Sequence, residues 1–360
     1  MDIVEATGSY EKWLAGRISL IGADLAQKHL HMAEGVFLFL RATFYRWLQL
    51  WPDQCPDCAR APRVLAVGDL HVENFGTWRD AEGRLAWGIN DFDEAYELPY
   101  TLDLVRLATS AHLAINGAHL KLAHKEACAF ILSGYTDALC AGGRPMVLGE
   151  DHPRMRAMAS GVLRNPENFW AKLDGLKTVK IPAKSSAKPA LESALPASKL
   201  KYRVAHRVAG LGSLGRERYV AIAVYCGGKI AREVKAAAPS ACCWAMASKG
   251  KAAIRYQEIL NQAVRAADPF LCFAGGWIRR RLAPDCSRVE LSQIPAQRDE
   301  TKLLHWMGFE TANIHLGTRG MAGKIAADLK KRRGRWLHDA ATAMAQATVQ
   351  DWKQWRAHRR

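Results

Sequence analysis

Hydrophobic residues along the chain follow two different periods. Apolar positions three or four residues apart recur through residues 1–51, for example at Trp13, Leu14, Ile18 and Leu25, and predict helices there. The same spacing predicts further helices at about residues 101–115, 120–139, 252–267 and 300–316, and one at the C-terminus. Short apolar runs predict strands at residues 65–67, 85–89, 219–225 and 230–234. This mixture indicates an α+β fold.

Polar residues stand at the ends of the first two predicted strands. Asp69 follows the strand at residues 65–67, and Asp91 follows the strand at residues 85–89. The segment between the strands contains the turn formers Asp80, Glu82 and Gly83. We therefore expect the two strands to pair as a hairpin that brings Asp69, Asn74 and Asp91 together. Two carboxylates and an amide oxygen would suit Mg²⁺, which prefers oxygen ligands.

The spacing of these residues indicates a chemistry. Asp69 and Asn74 are five residues apart, and the pair Asp91-Phe92 follows on the next strand. Protein-kinase-type phosphotransferases use an Asp that accepts the substrate hydroxyl proton, an Asn five residues later that binds metal, and a further Asp-Phe that binds the metal at the nucleotide phosphates. The alternative interpretation is a polar strand end made of turn-forming Asp and Asn, which the agreement of spacing and both strands makes the weaker one.

The amino-acid sequence of these segments resembles that of the aminoglycoside and choline kinase branch of the kinases. The matching segments are Gly68–Asn74, Ile89–Ala95 and Asp103-Leu104, which opens a predicted helix. The resemblance implies that Asp69, with His71 beside it, is catalytic. It implies that Asn74 and Asp91 hold Mg²⁺, with Asp93 as a further ligand. In such kinases an Asp at the position of Asp103 braces the catalytic loop. A plain helix cap is the simpler account of Asp103.

A second motif lies between later strands. The glycine loop, residues 210–215, reads Gly-Leu-Gly-Ser-Leu-Gly and joins two predicted strands, which argues against a dinucleotide-binding fold. Lys235 ends the third strand of this group. Strand, glycine loop, two strands and a terminal Lys form the layout of a kinase phosphate-binding unit. The predicted cofactor-binding residues are Gly210, Gly212, Ser213, Gly215, Lys235 and Glu258. Glu258 would pair with Lys235 from the helix at residues 252–267, or else be a solvated glutamate.

The composition and net charge of the chain indicate which classes of binding partner to expect. The chain has 51 Lys and Arg against 35 Asp and Glu, so its net charge is +16, with a pI near 9.6. This balance favours anionic partners such as nucleotides, nucleic acid or acidic membrane surfaces. Hydrophobic residues make up 49% and charged residues 24%, which is typical of soluble globular proteins. Residues 176–203 carry many lysines and three prolines, and this pattern predicts a flexible basic linker.

Targeting features and cysteines predict a cytoplasmic location. The N-terminus lacks the basic and apolar parts of a signal peptide. The apolar segment at residues 32–51 contains Glu34, Arg41 and Arg46, so no membrane span is expected. The nine cysteines show no disulfide-like layout. Cys55 and Cys58 have the spacing of half a zinc knuckle, but no second half follows, and a loop with two thiols is the preferred interpretation.

The order of the motifs is unusual. Kinases run from glycine loop, Lys, helix Glu and hinge to catalytic Asp and metal Asp, whereas this chain begins with the two aspartates. That order is a circular permutation of the same cycle. The arrangement resembles the bacterial family known as domain of unknown function 2252, over about residues 30–320. The resemblance implies a bilobal, circularly permuted protein-kinase-like fold with extra N- and C-terminal helices, and no known substrate.

Five segments are expected on this basis. Residues 1–62 would form an N-terminal helical segment, and residues 63–175 the part of the large lobe with the catalytic loop and metal site. The basic linker at residues 176–203 would lead to the small lobe and hinge at residues 204–298. Residues 299–360 would supply the C-terminal helices that complete the large lobe.

The functional hypothesis is an ATP- and Mg²⁺-dependent phosphotransferase that acts on a hydroxyl-bearing small molecule or protein. Nucleotidyl transfer and an inactive pseudokinase remain open. One alternative is a metal-dependent phosphoester hydrolase that uses Asp69, His71, Asp91 and Asp93. The other is a non-catalytic basic module that binds nucleic acid, which the net charge would allow. It is not favoured, because no nucleic-acid-binding motif is present.

Overall fold

The computed structural model describes residues 1–149, 152, 156, 165–246, 253–284, 286 and 300–359. The predicted α+β class is confirmed, since helices and small antiparallel sheets both occur. Residues 1–51 are helical, as predicted, with the helices α1 Ile3–Ala15, α2 Gly22–Glu34, α3 Val36–Ala42, α4 Phe44–Gln54 and α5 Pro56–Ala59 extending beyond that range. The loop expected around Cys55 and Cys58 is thus partly helical. Cys55 and Cys58 are buried free thiols in this region. Burial raises the pKa of Cys55 to about 12 and that of Cys58 to about 11.

Two short sheets replace the single hairpin that the sequence predicts. They consist of β1 Arg63–Ala66, β2 Phe75–Arg79, β3 Leu85–Ile89 and β4 Tyr96–Pro99. β1 pairs with β4, and β2 pairs with β3, so the predicted pairing of β1 with β3 is wrong. The reason is that Phe75–Arg79 forms its own strand, which takes the hydrogen bonds of β3. The start of β2 and the end of β3 meet, because Asn90 N–H donates to the Asn74 carbonyl over 3.0 Å. Asp69, Asn74 and Asp91 line one small cavity there.

Long helices surround these sheets. They are α6 Tyr100–Asn116, α7 His124–Ala141, α12 Glu300–Leu316, α13 Ala322–Lys331 and α14 Trp336–His358. α6 is buried along nearly its whole length. Gly134 on α7 and Gly308 on α12 let these two helices pack backbone to backbone, because a Cβ at Gly134 would lie 1.7 Å from the His305 carbonyl oxygen.

A five-stranded antiparallel sheet forms the second part of the protein. Its order is β5-β6-β7-β9-β8, with β5 Tyr202–His206, β6 Arg218–Tyr225, β7 Gly228–Ala236, β8 Cys272–Ala274 and β9 Trp277–Leu282. Three short helices lie before, beside and within this region: α8 Pro166–Asp174, α9 Ala187–Glu192 and α11 Tyr256–Gln262. A fourth, α10 Cys242–Ala245, follows β7. The helix expected at residues 252–267 is therefore shorter, and residue 252 lies outside the described part of the chain.

The segment at residues 176–203 is not the loose linker that its composition predicts. Val179 N–H donates to the Val204 carbonyl over 3.0 Å, so the segment joins the edge of the sheet. Buried residues Ala187, Ala190 and Leu191 of α9 pack against one face of the sheet. We call this the outer face; its buried residues are Tyr219, Ala221, Val234, Ala236 and Trp277. The apolar residues between the lysines thus outweigh the flexibility that prolines and charge suggest.

The opposite, inner face carries the alternate residues of the same strands. Arg218 lies opposite Lys235 in the β6–β7 pairing, and Glu233 lies opposite Arg280 in the β7–β9 pairing. Directly paired residues of neighbouring strands point to the same face. Within the described residues, no helix has both the length and the apolar character to cross a membrane, as the sequence predicts.

Candidate functional site

The loop that presents Asp69 is held by a buried carboxylate. Asp103, near the start of α6, accepts hydrogen bonds from the amides of Val67 and Gly68 over 2.7 and 2.9 Å. His315 Nε2 lies 3.0 Å from Asp103 Oδ2, and His315 Nδ1 lies 2.8 Å from the Tyr135 hydroxyl. Asp103 and His315 are inaccessible to solvent. Asp103 therefore braces the loop, as the family resemblance implies, rather than only capping its own helix.

The sharp turn after β1 requires a glycine at position 68. Its φ is +85°, and a Cβ there would lie 2.5 Å from the Glu94 carbonyl oxygen. Any side chain would thus separate the Asp69 loop from the segment that carries Asp91 and Asp93. The close approach of these two segments creates the acidic side of the site.

Asp69 is tied to a buried arginine. Arg106 Nε donates to Asp69 Oδ1 over 2.8 Å, and Arg106 Nη2 donates to the same oxygen. Arg106 Nη2 also donates to the Leu40 carbonyl over 2.8 Å, while its guanidinium stacks on the rings of Phe44 and Trp47. Burial raises the pKa of Asp69, and Arg106 opposes that rise. Arg106 thus fixes the position of the Asp69 carboxylate, while burial makes this carboxylate a stronger base than an ordinary aspartate.

Asn74 and His71 lie beside Asp69, as the motif predicts. Asn74 Nδ2 donates to the Asp69 carbonyl over 2.7 Å, and Asn74 N–H donates to the His71 carbonyl over 2.8 Å. His71 is buried, and its Nδ1 accepts from the Glu73 amide over 3.2 Å. The five-residue spacing thus becomes a closed turn in which the Asn side chain stabilises the backbone of Asp69.

Lys235 contacts the acidic segment directly. Its Nζ lies 2.6 Å from Asp93 Oδ2 and 3.7 Å from Asp91 Oδ1. Arg216 Nη1 lies 3.1 Å from the same oxygen of Asp93. The side chain of Lys235 is 1% exposed and that of Asp91 is 33% exposed, so Asp91 is the more accessible of the two at the cleft. Lys235 and Asp91, which belong to two separate sequence motifs, therefore lie in one cluster.

The ion pairs shift the charge states of this cluster. Burial opposes ionisation of Asp93, but the Lys235 ammonium and the Arg216 guanidinium lower its pKa below the usual value. Burial lowers the pKa of Lys235, while Asp91 and Asp93 oppose that change. Asp93 Oδ1 is buried and has no hydrogen-bond partner among the described residues. Asp93 Oδ2 thus contacts both Lys235 and Arg216, whereas Oδ1 contacts no hydrogen-bond donor among the described residues.

Glu94 follows Asp91 and Asp93 in the chain, but its pKa is shifted in the opposite direction from that of Asp93. Its Oε2 accepts from Ser240 Oγ over 2.8 Å and from the Ala241 amide over 2.6 Å. Burial raises the pKa of Glu94 to about 7, although Arg216 opposes the rise. Glu94 links the acidic segment to the residues that follow β7, a role that the sequence did not indicate.

The glycine loop lies between the sheet and the N-terminal helices. A Cβ at Gly212 would stand 3.1 Å from the Arg41 carbonyl oxygen and 3.4 Å from Asp69 Oδ2, so this loop reaches the predicted catalytic aspartate. Gly215 has a φ of +97° and packs on Leu25 of α2. Ser213 Oγ accepts from Arg218 Nη2 over 2.9 Å. Gly210, Gly212 and Ser213 line a small cavity beside Asp69, whereas Gly215 holds the loop against α2.

Glu258 is not where the sequence predicts. Instead of Lys235, it pairs with Arg255 of the same chain segment, with Nη2–Oε1 at 2.6 Å and Nε–Oε2 at 2.7 Å. The reason is that Lys235 already lies against Asp93, and Glu258 is partly exposed at the start of α11. Its assignment to the cofactor site is wrong.

The carboxylate that organises the inner face is Glu233, two residues before Lys235. It is fully buried, and its oxygens lie 2.6 Å from Arg207 Nη1, 3.1 Å from Arg218 Nη1 and 3.5 Å from Arg280 Nε. Burial opposes its ionisation, yet the three guanidinium groups lower the pKa of Glu233 to about 2. The alternation Glu233-Val234-Lys235 in a strand was the available sequence signal, because it puts both charges on one face.

A cleft of about 380 Å³ opens between the inner face and the β2–β3 hairpin. Cationic side chains line it at Arg207, Arg218, Lys235, Arg265, Arg280 and Arg281, and apolar ones at Trp78, Phe169, Leu173, Leu271 and Leu282. Asp91 and Gly210 stand at its border with a second, small cavity of about 50 Å³. That cavity is lined by Asp69, His71, Asn74, Asp93 and Gly212, and by Lys28, a buried residue that the motifs did not include.

Comparison with known proteins adds the family. The model of a family described as "Uncharacterized protein conserved in bacteria (DUF2252)" matches residues 21–146 and 184–358, which is more than half of the chain. The chain belongs to this family. No curated protein and no solved structure matches it. The matched segments of this DUF2252 protein contain Asp69, Asn74, Asp91, the glycine loop and Lys235.

Proposed function

We propose that this DUF2252 protein is an ATP- and Mg²⁺-dependent phosphotransferase with a circularly permuted, bilobal kinase-like arrangement. The observation that carries the proposal is the position of Lys235. It lies at the end of the strand that follows the glycine loop hairpin, 3.7 Å from Asp91 Oδ1 and 2.6 Å from Asp93 Oδ2. A phosphate-binding Lys, a glycine loop and metal-binding carboxylates in one cleft are the parts that phosphoryl transfer needs.

The closing joint of the permuted cycle supports the same proposal. In a circularly permuted kinase fold, the helix at residues 300–316 would lie next to the strand that precedes Asp69. Leu65 N–H in β1 donates to Thr318 Oγ1 over 2.9 Å, just beyond that helix.

The residues present fit a nucleotide and Mg²⁺. The cleft volume of about 380 Å³ lies within the range of small-molecule sites, about 300–1,000 Å³. Its guanidinium groups would bind phosphate oxygens, and Trp78 and the leucines would contact a base. Asp91, the free Oδ1 of Asp93 and the amide oxygen of Asn74 would hold Mg²⁺, which prefers such donors. Bound Mg²⁺ would neutralise phosphate charge during transfer.

Each side chain then has a distinct task. Lys235 and the inner-face arginines bind and orient the phosphates. Asp69, held through Oδ1 by Arg106, presents Oδ2 toward the small cavity and takes the proton of an acceptor hydroxyl there. Asn74 keeps the Asp69 backbone in place, and Asp103 holds the preceding amides.

The test is nucleotide binding in matched lysine variants. Titration calorimetry should detect MgATP binding to the wild-type protein, and Lys235→Ala should weaken it by about 10- to 100-fold, the contribution of one charge-assisted hydrogen bond. Lys229 lies on the same strand, at its exposed end, and pairs with Asp174. Lys229→Ala should leave affinity unchanged. Absence of MgATP binding to folded wild-type protein, or equal affinities in both variants, would contradict the proposal.

Two further assays distinguish the phosphotransferase from the two alternative functions. A phosphoester hydrolase with two adjacent metals would release phosphate from p-nitrophenyl phosphate without nucleotide. In this site Lys235 and Arg216 occupy the space beside Asp93, which favours anion binding over a second metal. A nucleic-acid module would show steeply salt-dependent DNA or RNA binding. Several of the cleft cations are buried, which favours a small anionic ligand.

A further inference from the structure

Three helices bring a second set of metal-binding side chains together, away from the carboxylates of the cleft. His112 lies in the C-terminal half of α6, Cys128 lies on α7, and His338 lies in the first turn of α14. Their ligand atoms all lie within 4.8 Å of one another. None of the three belongs to the sequence motifs or has a role in the proposed transfer.

The cluster is largely buried, and one of its polar atoms has no hydrogen-bond partner among the described residues. His112 is 1% exposed and Cys128 is 3% exposed. His112 Nε2 lies 3.3 Å from Cys128 Sγ. His338 Nδ1 is buried and has no hydrogen-bond partner within the described ranges. A buried imidazole nitrogen without a partner carries a free-energy cost, which a bound cation would remove.

We propose that His112, Cys128 and His338 form a Zn²⁺ site that fastens α14 to α6 and α7. Two imidazoles and one thiolate are ligands that Zn²⁺ accepts, at about 2.0–2.1 Å for nitrogen and about 2.3 Å for sulfur. Tetrahedral angles then place a nitrogen and a sulfur ligand about 3.5 Å apart. The distance of 3.3 Å between His112 Nε2 and Cys128 Sγ is close to that value. Three protein ligands leave a fourth position for water.

Zn²⁺ binding would change the protonation of the cluster. Zn²⁺ binds cysteine as a thiolate, so the Cys128 thiol would release its proton to solvent. His112 Nε2 also lies 3.3 Å from the His124 carbonyl. Zn²⁺ binding requires the other ring nitrogen to carry the proton.

The location gives the site a structural consequence. α14 is the last helix, and it packs along α6, whose first turns carry Asp103 and Arg106. A metal shared by α6, α7 and α14 would hold the helix that positions both of these residues. The inference does not depend on the proposed transfer reaction.

The experiment uses the full-length protein and Zn²⁺ or Co²⁺ as the probe. We expect about one Zn²⁺ per chain after dialysis, measured by inductively coupled plasma mass spectrometry. The melting temperature should be higher with Zn²⁺ than after chelation. Co²⁺ should give visible d–d bands and a near-ultraviolet thiolate charge-transfer band. Cys128→Ser should abolish the charge-transfer band, and His338→Ala should reduce the metal content to near zero.

The control is Cys140→Ser, an exposed cysteine near the end of the same helix α7, which should keep the metal and both spectra. Circular dichroism establishes that each variant folds, and His338, which is partly exposed, offers a variant that disturbs the core less than Cys128→Ser. Unchanged Zn²⁺ content in folded His338→Ala would overturn the site. So would a wild-type protein that binds no Zn²⁺, or a charge-transfer band that survives in Cys128→Ser.

Discussion

The two faces of the five-stranded sheet are built from alternate residues of the same strands, yet their surroundings differ. On the outer face, Leu191 of α9 packs against Tyr219, Val234 and Trp277 in an apolar cluster. On the inner face, Glu233 and Lys235 are as deeply buried, but each lies against groups of opposite charge.

The difference shows how one strand can serve both stability and function. Burial of an ion costs several kcal/mol unless a partner compensates, so the inner face retains its charges only because guanidinium groups and carboxylates surround them. Such a face can exchange one partner for a ligand phosphate. The apolar cluster around Leu191 on the outer face has no ion pair to exchange. Substitutions on the two faces should therefore have separable effects on activity and on stability.

The largest effect is expected in the small cavity that borders the cleft, at Asp69. Asp69→Asn keeps the size of the side chain and can still accept the hydrogen bond from Arg106, so the fold should survive. It cannot take a proton at neutral pH, and transfer should slow by about 10²–10⁴-fold. ATP turnover and MgATP affinity, measured on the same preparation, give the result. Unchanged turnover would remove Asp69 from catalysis.

On the outer face, Leu191→Ala should reduce stability without touching the site. Leu191 is fully buried, and truncating such a leucine costs about 2–5 kcal/mol in the free energy of unfolding. Urea denaturation measures this loss. MgATP affinity of the folded variant should equal that of the wild type. A large loss of affinity would mean that the two faces are not independent.

Glu310 tests the rule that buried charge needs adjacent cations. It is 1% exposed, its Oε2 accepts from Asn313 over 2.8 Å, and burial raises its pKa to about 7. Because the folded protein holds this proton more tightly than the unfolded chain, stability should fall as pH rises from about 4.5 to about 7.

Glu310→Gln should remove this part of the pH dependence. Relative to the wild type, the variant should gain about 2–3 kcal/mol in unfolding free energy between pH 4.5 and pH 8, read from urea curves at both values. Glu258→Gln, at a partly exposed carboxylate paired with Arg255, is the control and should show little change. A parallel pH dependence in Glu310→Gln and wild type would show that Glu310 does not titrate with a raised pKa.

The smallest expected effect concerns Asp91. Saturation with MgATP at 100 times its dissociation constant should stabilise the wild type by about 2.7 kcal/mol. Asp91→Ala removes an expected metal ligand, so the part of this stabilisation that depends on Mg²⁺ should disappear while the part seen with ATP and EDTA remains. Thermal unfolding in the two buffers measures both parts. An undiminished Mg²⁺ effect would exclude Asp91 as a ligand.

Local patterns in the sequence determined a good part of this protein. The helical spacing of residues 1–51, the strand alternation at Glu233 and Lys235, and the five-residue step from Asp69 to Asn74 all involve neighbours along the chain. Their geometry follows from backbone periods, so α+β elements and the turn at Asn74 could be predicted. The strand pairing could not, because a strand does not specify its partner, and β1 pairs with β4 rather than β3.

Only the tertiary structure decided which distant side chains meet. Lys235 lies against Asp93 and not Glu258, Asp103 is held by His315, and His112 lies beside Cys128 and His338. Asp103 and His315 are separated by 212 residues. Such contacts depend on how helices and sheets pack in three dimensions, and the energy of a buried ion pair or a shared ligand appears only when that packing removes water from both partners.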